Sequence, residues 1–348
     1  MIRVARQAVL RTLSAAGITA RVSRSGWRRR RLLILCFHGF SLADEHEWNP
    51  SLYVPAAHLE HRLRQLRDGG YTILAFEEGL ERLYLGNLPP AAVVVTVDDG
   101  MFDFHAAAYP ILQRAGVPAT VYVSTYYVLH QRPVFDVAAG YLLWRAARTG
   151  RGVAELSGSL GPLRLKLEEA GSPAWGHLKG IAAQHAWSSD QKQECLEQLA
   201  REAGIGWAEF LRRRLLSLMT PEEIAGLDPG VADVQLHTHR HRMPDTRELF
   251  LQELEDNRRA LIRCGCSPER LRHFCYPSGV YGLRHLPWLR EAGVASATTT
   301  RPGLAASSSD PLQLPRFIDN YLTSDLEFDA WAAGVREILR RPSPRPGV

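Results

Sequence analysis

The sequence predicts an α/β protein built on a parallel sheet and interrupted by a helical insertion. Short apolar runs alternate along the chain with segments whose apolar residues recur at helical spacing. Two of these runs, Leu32–Phe37 and Val93–Val97, are almost unbroken, which is typical of strands buried on both faces. Between about residues 133 and 218 the alternation stops and helical patterns remain, so this stretch is interpreted as the insertion.

Seven strands are predicted, with helices between them. The strands are Leu32–Phe37, Val93–Val97, Ala119–Val123, Val231–Leu236, His273–Tyr276, Ala295–Thr299 and Gln313–Ile318. The helices, each with an apolar face and a start or stop signal, include Ala56–Arg67, Asp103–Arg114, one that begins at the capping box Thr220-Pro221-Glu222-Glu223, and Thr246–Cys264.

The domain organisation follows from these segments. Residues 32–330 form one domain, and its insertion at about 133–218 carries predicted helices at Val137–Arg148 and Asp190–Ala203 but no predicted strand. The insertion is either a lid or substrate platform, or a purely structural outgrowth. Residues 340–348 are rich in proline and arginine, which predicts a disordered tail.

Charge and composition limit the functional classes. Of the 348 residues 45% are hydrophobic and 23% charged, which is ordinary for a soluble globular enzyme, and no stretch approaches a membrane-spanning length. Residues 1–31 carry nine arginines and no acid, so this segment is either a solvated terminal helix or a peripheral contact with an anionic membrane. Beyond this segment no run of basic residues is interleaved with aromatic residues, which argues against a nucleic-acid-binding protein.

Cysteine usage favours a reducing compartment. The five cysteines are sparse and odd in number, which does not fit a disulfide framework. Cys264 and Cys266 resemble half of a metal clip, but no second pair exists, so two incidental thiols are expected. Without a recognisable secretory signal, the sequence predicts a cytoplasmic protein, with membrane association through the basic segment as a further option.

The first chemical motif follows the strand Val93–Val97, which runs directly into Asp98, Asp99 and Gly100. Active sites of parallel α/β folds lie at the carboxyl ends of strands. Two adjacent carboxylates there repel each other unless a cation or a proton relieves the repulsion. The alternative is a polar turn in which Asp99 or Asp103 caps the next helix.

The second motif follows another predicted strand, Val231–Leu236, and contains three histidines within five residues. Because a helical turn places residues four apart on one side, we expect His237 and His241 to meet one ion, with His239 pointing elsewhere. Two histidines and one carboxylate are a common ligand set for a catalytic zinc or related divalent ion. The alternative is ordinary surface polarity.

A third segment, Arg272–Gly279, ends a short strand in Tyr276-Pro277, which by itself is typical of an ordinary strand exit. Taken with the two motifs above, it resembles the polysaccharide deacetylase family (carbohydrate esterase family 4, the NodB-homology domain). The family motif T-F-D-D-G appears as Thr96–Gly100, H-[ST]-x-x-H appears as His237–His241, and the third motif is approximated by Arg272–Gly279. The resemblance spans roughly residues 32–320 without the insertion and implies a distorted (β/α)7-type barrel.

The resemblance also implies residue roles. Asp98 is expected to be the general base, and Asp99, His237 and His241 the ligands of a divalent metal ion, namely Zn with Ni, Co or Fe as alternatives. Tyr276, Pro277 and Arg316 are expected to bind the substrate. The backbone N–H of Tyr276 would hold the oxyanion.

Two departures from the family pattern concern the acid and the group that braces the base. The usual histidine acid of a C-terminal L-x-I-x-x-H motif is missing, but Leu33–His38 approximates that motif at the first strand, as in the circularly permuted branch acting on poly-N-acetylglucosamine. His38 is therefore expected to be the general acid. Cys275 stands where many members carry an arginine that braces the base, and Arg316 is a candidate replacement.

The predicted function is metal-dependent hydrolysis of an N-acetyl group on a hexosamine. The implied partner is an N-acetylated glycan or a lipid-linked sugar precursor, and the implied setting is exopolysaccharide or glycolipid synthesis. Two alternatives stay open: an inactive barrel that only binds glycans, and a metal-dependent hydrolase of a non-sugar amide.

Overall fold

A central parallel sheet organises the chain in the computed structural model, which describes residues 2–150, 152–167 and 173–339. The strands are β1 (Arg31–Phe37), β2 (Gly39–Ser41), β3 (Tyr53–Pro55), β4 (Thr72–Leu74), β5 (Ala92–Val97), β6 (Ala119–Val123), β7 (Val153–Leu156), β8 (Leu163–Lys166), β9 (Ala232–Leu236), β10 (His273–Cys275), β11 (Ser296–Thr298), β12 (Ala305–Ala306) and β13 (Phe317–Ile318). The sheet order is β11-β10-β9-β6-β5-β1-β12, where β12 is antiparallel, β4 pairs with β5 and β13 pairs with β1.

The sheet curls into a distorted barrel, as predicted. Leu314 donates its N–H to Ala297 of β11 and accepts from the N–H of Thr299, both at 2.9 Å. A few residues later β13 pairs with β1, so the segment 314–318 joins the two ends of the curled sheet. This segment is the seventh strand position of the barrel, and the other six are β1, β5, β6, β9, β10 and β11, as the sequence predicted. The carboxyl ends of the parallel strands meet at one rim of the barrel.

The apolar runs form strands because both of their faces are buried. In β1, Leu32 and Ile34 pack in one cluster with Leu80 and Leu83, whereas alternate residues such as Leu33 pack in the main core. Successive side chains of a strand point to opposite faces, so an unbroken apolar run fills two hydrophobic layers at once. This packing fixes where the strands end and therefore where the polar residues behind them emerge.

The helices are α1 (Ile2–Ala15), α2 (Ile18–Ser23), α3 (Gly26–Arg29), α4 (Glu45–Trp48), α5 (Ala56–Asp68), α6 (Phe76–Leu85), α7 (Tyr109–Ala115), α8 (Tyr126–His130), α9 (Phe135–Ala147), α10 (Pro173–Gln184), α11 (Ser189–Glu202), α12 (Trp207–Arg212), α13 (Pro221–Ala225), α14 (Arg247–Arg263), α15 (His285–Glu291), α16 (Asp325–Ala332) and α17 (Val335–Leu339). The capping box predicted at Thr220 is present, with its side chain and that of Glu223 bonded reciprocally to backbone N–H groups. The predicted helix Asp103–Arg114 instead begins with a π-helical turn, Phe104–Ala108. Pro110 lacks an N–H for a regular α-helical bond, and the wider turn accommodates it.

The insertion is not purely helical, which corrects the prediction. Between α9 and α10 the strands β7 and β8 form an antiparallel hairpin. Ala154, Leu156 and Leu165 are buried while Glu155 and Arg164 are exposed, so the hairpin has one apolar face. Each strand has only four residues, too few for its alternation to stand out from the surrounding helical pattern.

The basic N-terminal segment is docked on the domain. Leu10 is 3% exposed and packs with Ala330, Ala333 and Val335 near the end of the chain. Arg28 is fully buried and donates to the carbonyls of Ala332, Arg31 and Ala92, the last two at the amino ends of β1 and β5. The predicted disordered tail, 340–348, lies outside the described residues. None of the helices among the described residues has the length and apolar character needed to span a membrane.

Candidate metal and catalytic site

A cavity of about 850 Å³ opens at the carboxyl rim of the barrel. The barrel lines it with His38, Asp98, Asp99, His237, His241 and Tyr276, and the insertion lines it with Val134, Phe135, Asp136, Val137, Gly140, Trp144, Trp175 and Lys192. A volume of this size suits a ligand of one to a few sugar units. The polar residues that follow the predicted strands therefore meet in one place.

Asp99, His237 and His241 converge on one point. The Nε2 atoms of His237 and His241 lie 3.1 and 3.2 Å from Oδ1 of Asp99. All three ligand atoms lie within 4.8 Å of one another, which is the spacing expected around a divalent ion bonded at about 2.0–2.2 Å. Burial alone would raise the pKa of Asp99, but its contacts with the His237 and His241 rings outweigh burial and lower the pKa well below its usual range. This donor set therefore fits a cation.

His237 is oriented by two neighbours. Its Nδ1 lies 2.8 Å from the carbonyl oxygen of Cys275, which requires the ring proton on Nδ1 and leaves Nε2 free for a cation. Its backbone N–H donates to Oδ1 of Asn257, on α14, at 2.9 Å. A buried hydrogen-bond network thus fixes both the ring and the backbone of this residue.

The histidine segment is not helical, so the reason given for the convergence was wrong. Residues 237–241 form an irregular loop in which Thr238 and His241 have φ values of 60° and 52°. The two left-handed residues turn the chain back on itself and bring the His241 ring within 4.9 Å of the His237 ring, centroid to centroid. His239 points away, as expected, with Nδ1 2.9 Å from the hydroxyl of Thr125.

Asp98 lies beside this site with a different set of contacts. Arg316 contacts both of its carboxylate oxygens at 2.7 Å, and the Cys275 thiol donates to Oδ2 at 3.3 Å. Burial would raise the pKa of Asp98, but the charge and hydrogen bonds of Arg316 outweigh it and lower the pKa far below its usual range. The carboxylate is thus ionised and held in one orientation by a bidentate contact.

Arg316 does not line the cavity, which corrects its assignment to substrate binding. Its side chain is fully buried behind Asp98, and it also donates to the carbonyl of Thr299 at 2.9 Å. The sequence raised Arg316 as a brace for the expected base, and in the structure its guanidinium lies against the carboxylate of Asp98. Pro277 is likewise buried and absent from the cavity lining, although its neighbours Tyr276 and Ser278 are part of it.

The backbone N–H of Tyr276 is already engaged, which corrects the predicted oxyanion contact. It donates to the carbonyl of Thr298, on the neighbouring strand, at 3.2 Å. The Tyr276 ring stacks on Tyr281 with centroids 4.3 Å apart, and its hydroxyl donates to the carbonyl of Leu312. Tyr276 therefore contributes a fixed wall of the cavity.

His38 completes the group at the end of β1. Its Nε2 lies 3.6 Å from Oδ2 of Asp98, and its side chain is 17% exposed toward the cavity. Its Nδ1 is buried and has no hydrogen-bond partner within the described part of the chain. Strand register explains the placement, because β1 and β5 pair Phe37 with Val97, the residues immediately before His38 and Asp98.

The sequence did not predict the aromatic wall that the insertion contributes to this cavity. Phe135, Trp144 and Trp175 from the insertion face the cavity together with Trp48 from α4. Trp175 is held by a hydrogen bond to the carbonyl of Asp136 at 2.7 Å. The concentration of tryptophans in this part of the chain was the available signal.

No family model matches the chain. A curated relative named as a polysaccharide deacetylase, YxkH of Bacillus subtilis, is 33% identical over 94 residues, or 27% of this chain and 32% of the relative. The chain thus matches about a third of that protein's length.

Solved structures match over most of the chain. The deacetylase PplD of Streptococcus pyogenes, solved with acetate, aligns with a TM-score of 0.54 at 20% identity over 85% of this chain and 96% of that one. The polysaccharide deacetylase BC0361 of Bacillus cereus aligns with a TM-score of 0.52 at 17% identity over 87% and 69%. The resemblance seen in the motifs is therefore confirmed at the level of architecture, and the chain has the fold of the polysaccharide deacetylases.

Proposed function

We propose that this chain is a metal-dependent carbohydrate N-deacetylase that hydrolyses the N-acetyl group of an N-acetylhexosamine. The observation that carries the proposal is the convergence of Asp99, His237 and His241 beside an ionised Asp98 and a cavity-facing His38. The deacetylase names of the relatives support the same reaction. An irregular surface cluster would not need a bidentate arginine behind one carboxylate and a carbonyl behind one imidazole.

The metal would be bound by one carboxylate and two imidazoles, a set suited to Zn, with Ni, Co or Fe as alternatives. When bound, a divalent ion would supply the Lewis acid that polarises the acetamide carbonyl and lowers the pKa of the attacking water. Nδ1 of His237 bonded to a backbone carbonyl keeps Nε2 available for this role.

Asp98 and His38 would handle the protons. As water attacks the acetamide carbon, Asp98 accepts a proton from it, and Arg316 holds the carboxylate in the orientation needed. His38, as the imidazolium, donates a proton to the amide nitrogen as the C–N bond breaks, so that acetate and a free amine leave. The two groups must hold opposite protonation states, and this predicts a bell-shaped dependence of rate on pH.

Acetate release from N-acetylglucosamine oligomers, measured with and without a chelator, tests the proposal. Chelation should abolish the release, added Zn should restore it, and Asp98→Asn and His38→Gln should each lower kcat by about 10²–10⁴-fold. Release unaffected by the chelator would contradict metal dependence. Binding of a glycan without acetate release would favour the inactive barrel, and release from simple amides alone would favour a non-sugar hydrolase.

We also propose a reducing, cytoplasmic setting. All five cysteines are free thiols, and four of them are buried. Neither Cys264 nor Cys266 belongs to a group of metal ligands in the described part of the chain, which fits incidental thiols. An intracellular precursor of an exopolysaccharide or glycolipid is then the natural N-acetylated partner, and membrane contact through the basic segment stays a proposal. Fractionation that finds the protein outside the cell would overturn this location.

A further inference from the structure

A second cavity, of about 310 Å³, adjoins the first at the insertion. Three residues, Tyr127, Phe135 and Lys192, line both cavities, so a ligand in the first can extend into the second. The first cavity holds the proposed metal and catalytic groups, whereas the second is built by α8, the residues after it and α11. The second cavity is therefore placed to receive the part of a substrate that lies beyond the reacting acetamide.

The second cavity is lined by basic side chains and by no carboxylate. His130, Arg132 and Lys192 line it, and its other lining residues are aromatic, aliphatic or neutral polar. Arg132 is paired at 3.1 Å with Asp190, which is exposed and does not line the cavity. The cavity thus has a net positive lining that an anionic group on a ligand would complement.

Lys192 makes no ion pair with any carboxylate among the described residues. Within the described part of the chain no carboxylate lies at ion-pair distance from its ammonium group, which sits 5.7 Å from the centroid of the Phe135 ring. By contrast, Lys179 of the same insertion is paired with Asp136 at 2.8 Å, and Arg240 at the first cavity is paired with Glu253 at 3.0 Å. A half-buried ammonium at the junction of two cavities is positioned to bind a charge supplied by a ligand.

We propose that Lys192 and the second cavity bind a phosphate group attached to the substrate sugar, so that the substrate is a phosphate-linked N-acetylhexosamine. This inference rests on the proposed deacetylase function and specifies its substrate class. Lysine and arginine together are the usual partners of phosphate oxygens, and the aromatic side chains around them can cover the group that follows the phosphate. In one source of such a substrate the phosphates join the sugar to a nucleoside, and in the other they join it to a prenyl lipid.

The chain offers a direct labelling test because it contains three lysines, Lys166, Lys179 and Lys192, all in the insertion. The metal-loaded full chain is treated with an amine-acylating reagent, and the modification of each lysine is followed by mass spectrometry. N-acetylglucosamine 1-phosphate, UDP-N-acetylglucosamine and farnesyl-diphosphate-linked N-acetylglucosamine should each slow labelling of Lys192 several-fold relative to Lys166. The neutral disaccharide N,N′-diacetylchitobiose should not. Equal protection by the neutral disaccharide, or no protection by any phosphate-bearing sugar, would overturn the proposal.

Kinetics of acetate release give the second arm. In Lys192→Gln the ratio of KM for phosphate-linked to neutral substrates should rise about tenfold, since a hydrogen bond to a charged group is lost. The matched variant Lys166→Gln, at an exposed position of β8, should keep the wild-type ratio. An unchanged ratio in Lys192→Gln would overturn the phosphate site even if deacetylation is observed.

Absence of acetate release from every sugar would instead refute the proposed function, while the labelling result decides the phosphate site separately. The better of the UDP-linked and farnesyl-linked sugars identifies the source of the phosphate.

Discussion

Asp98 and Asp99 are neighbours in the chain with opposite surroundings. Asp98 is 2% exposed and is matched by the guanidinium of Arg316, whereas Asp99 faces two imidazoles at the cavity. Asp99 has a φ of 74°, a strained value for a residue with a side chain, and this turn separates the two carboxylates. The charge of Asp98 is therefore balanced by Arg316, whereas Asp99 is the carboxylate for which we propose a bound metal ion.

Metal content tests the second of these carboxylates. The wild-type protein should carry about one equivalent of divalent metal, and Asp99→Ala should lose it, since a site with two neutral imidazoles binds a cation far less tightly. His239→Gln is the matched control, because His239 lies in the same loop but bonds to Thr125. Elemental analysis after gel filtration gives the metal-to-protein ratio. Full metal content in Asp99→Ala would show that the ion is bound elsewhere.

The orientation of the Asp98 carboxylate depends on Arg316. Arg316→Lys retains a positive charge but cannot make two parallel hydrogen bonds to Asp98, so we expect kcat to fall by about 10²-fold with unchanged metal content. Arg301→Lys, at an exposed arginine bonded to the carbonyl of Gln313, should keep wild-type kcat. Acetate release at saturating metal measures both. A kcat within twofold of wild type in Arg316→Lys would mean that the bidentate contact is not needed.

Asp103 is a buried carboxyl with a pH-dependent effect on stability. It is 6% exposed, its Oδ1 has no partner in the described part of the chain, and burial, with Glu45 and Asp99 adding to it, raises its pKa well above the usual value. Below about pH 3.9 Asp103 is protonated in both the folded and the unfolded protein, so its ionisation does not affect the free energy of unfolding. As the pH rises, the unfolded chain ionises while the buried carboxyl stays protonated, so the folded state loses stability.

Asp103→Asn should remove this loss. In chelator-treated protein the variant should gain stability over wild type as the pH rises, by on the order of 1–2 kcal/mol at pH 7.5, with no gain near pH 4. Urea denaturation at the two pH values measures the difference. A constant difference between the variants across this range would contradict a raised pKa for Asp103.

At the scale of elements, the insertion brings an aromatic wall within reach of the barrel by means of one glycine. A Cβ at Gly140 of α9 would lie 2.8 Å from a ring carbon of Trp48 and 3.3 Å from one of Trp175. Real Cβ atoms essentially never come within 3.0 Å of another carbon, so an alanine at this position would displace the Trp48 ring. The glycine thus lets two tryptophans from different parts of the chain share one wall.

Gly140→Ala should therefore raise the KM for an N-acetylated oligomer several-fold and lower the free energy of unfolding by about 1–3 kcal/mol. Gly180→Ala in α10 is the control, since its added Cβ would meet no atom within 4 Å and alanine favours a helix. Steady-state kinetics and urea denaturation together separate the two effects. Unchanged KM in Gly140→Ala would argue that the wall does not contact the substrate, and would favour the structural outgrowth.

How much of these elements was predictable depends on the length of their patterns. The runs Leu32–Phe37 and Val93–Val97 identified β1 and β5 because a strand with two buried faces leaves an unbroken apolar signature. The hairpin of Val153–Leu156 and Leu163–Lys166 was missed, because four-residue strands give too short a pattern. Short strands also had uncertain ends, and β13 is two residues where six were predicted.

The meeting of these residues at one rim was predictable from the sequence, but their geometry was not. Asp98, Asp99, His237 and His241 were identified because they follow predicted strands, and parallel strands end at one rim. The loop that brings His241 to His237 depends on left-handed residues, which a helical spacing argument does not contain. The contact of Arg316 with Asp98 joins residues 218 positions apart, so the sequence supplied Arg316 only as a candidate, without geometry to fix its role.

At the scale of the whole molecule, the N-terminal helix covers an apolar surface near the end of the chain. Leu10 of α1 packs with Ala330, Ala333 and Val335, and Gln7 donates to the hydroxyl of Ser324 at the start of α16. This packing joins the two ends of the described chain on the outside of the barrel. The basic N-terminal segment thus also packs on the domain through α1.

Leu10→Ala measures that contact. Because the leucine is 3% exposed, its truncation should lower the free energy of unfolding by about 2–3 kcal/mol, while kcat and KM stay at wild-type values since Leu10 does not line either cavity. Val9→Ala, at a residue of the same helix that is 51% exposed, should change stability by less than about 0.5 kcal/mol. Urea denaturation of the three proteins gives the comparison. Equal stability of Leu10→Ala and wild type would show that α1 does not stay docked in solution, and the basic segment would then be free to bind an anionic membrane, which vesicle sedimentation can detect.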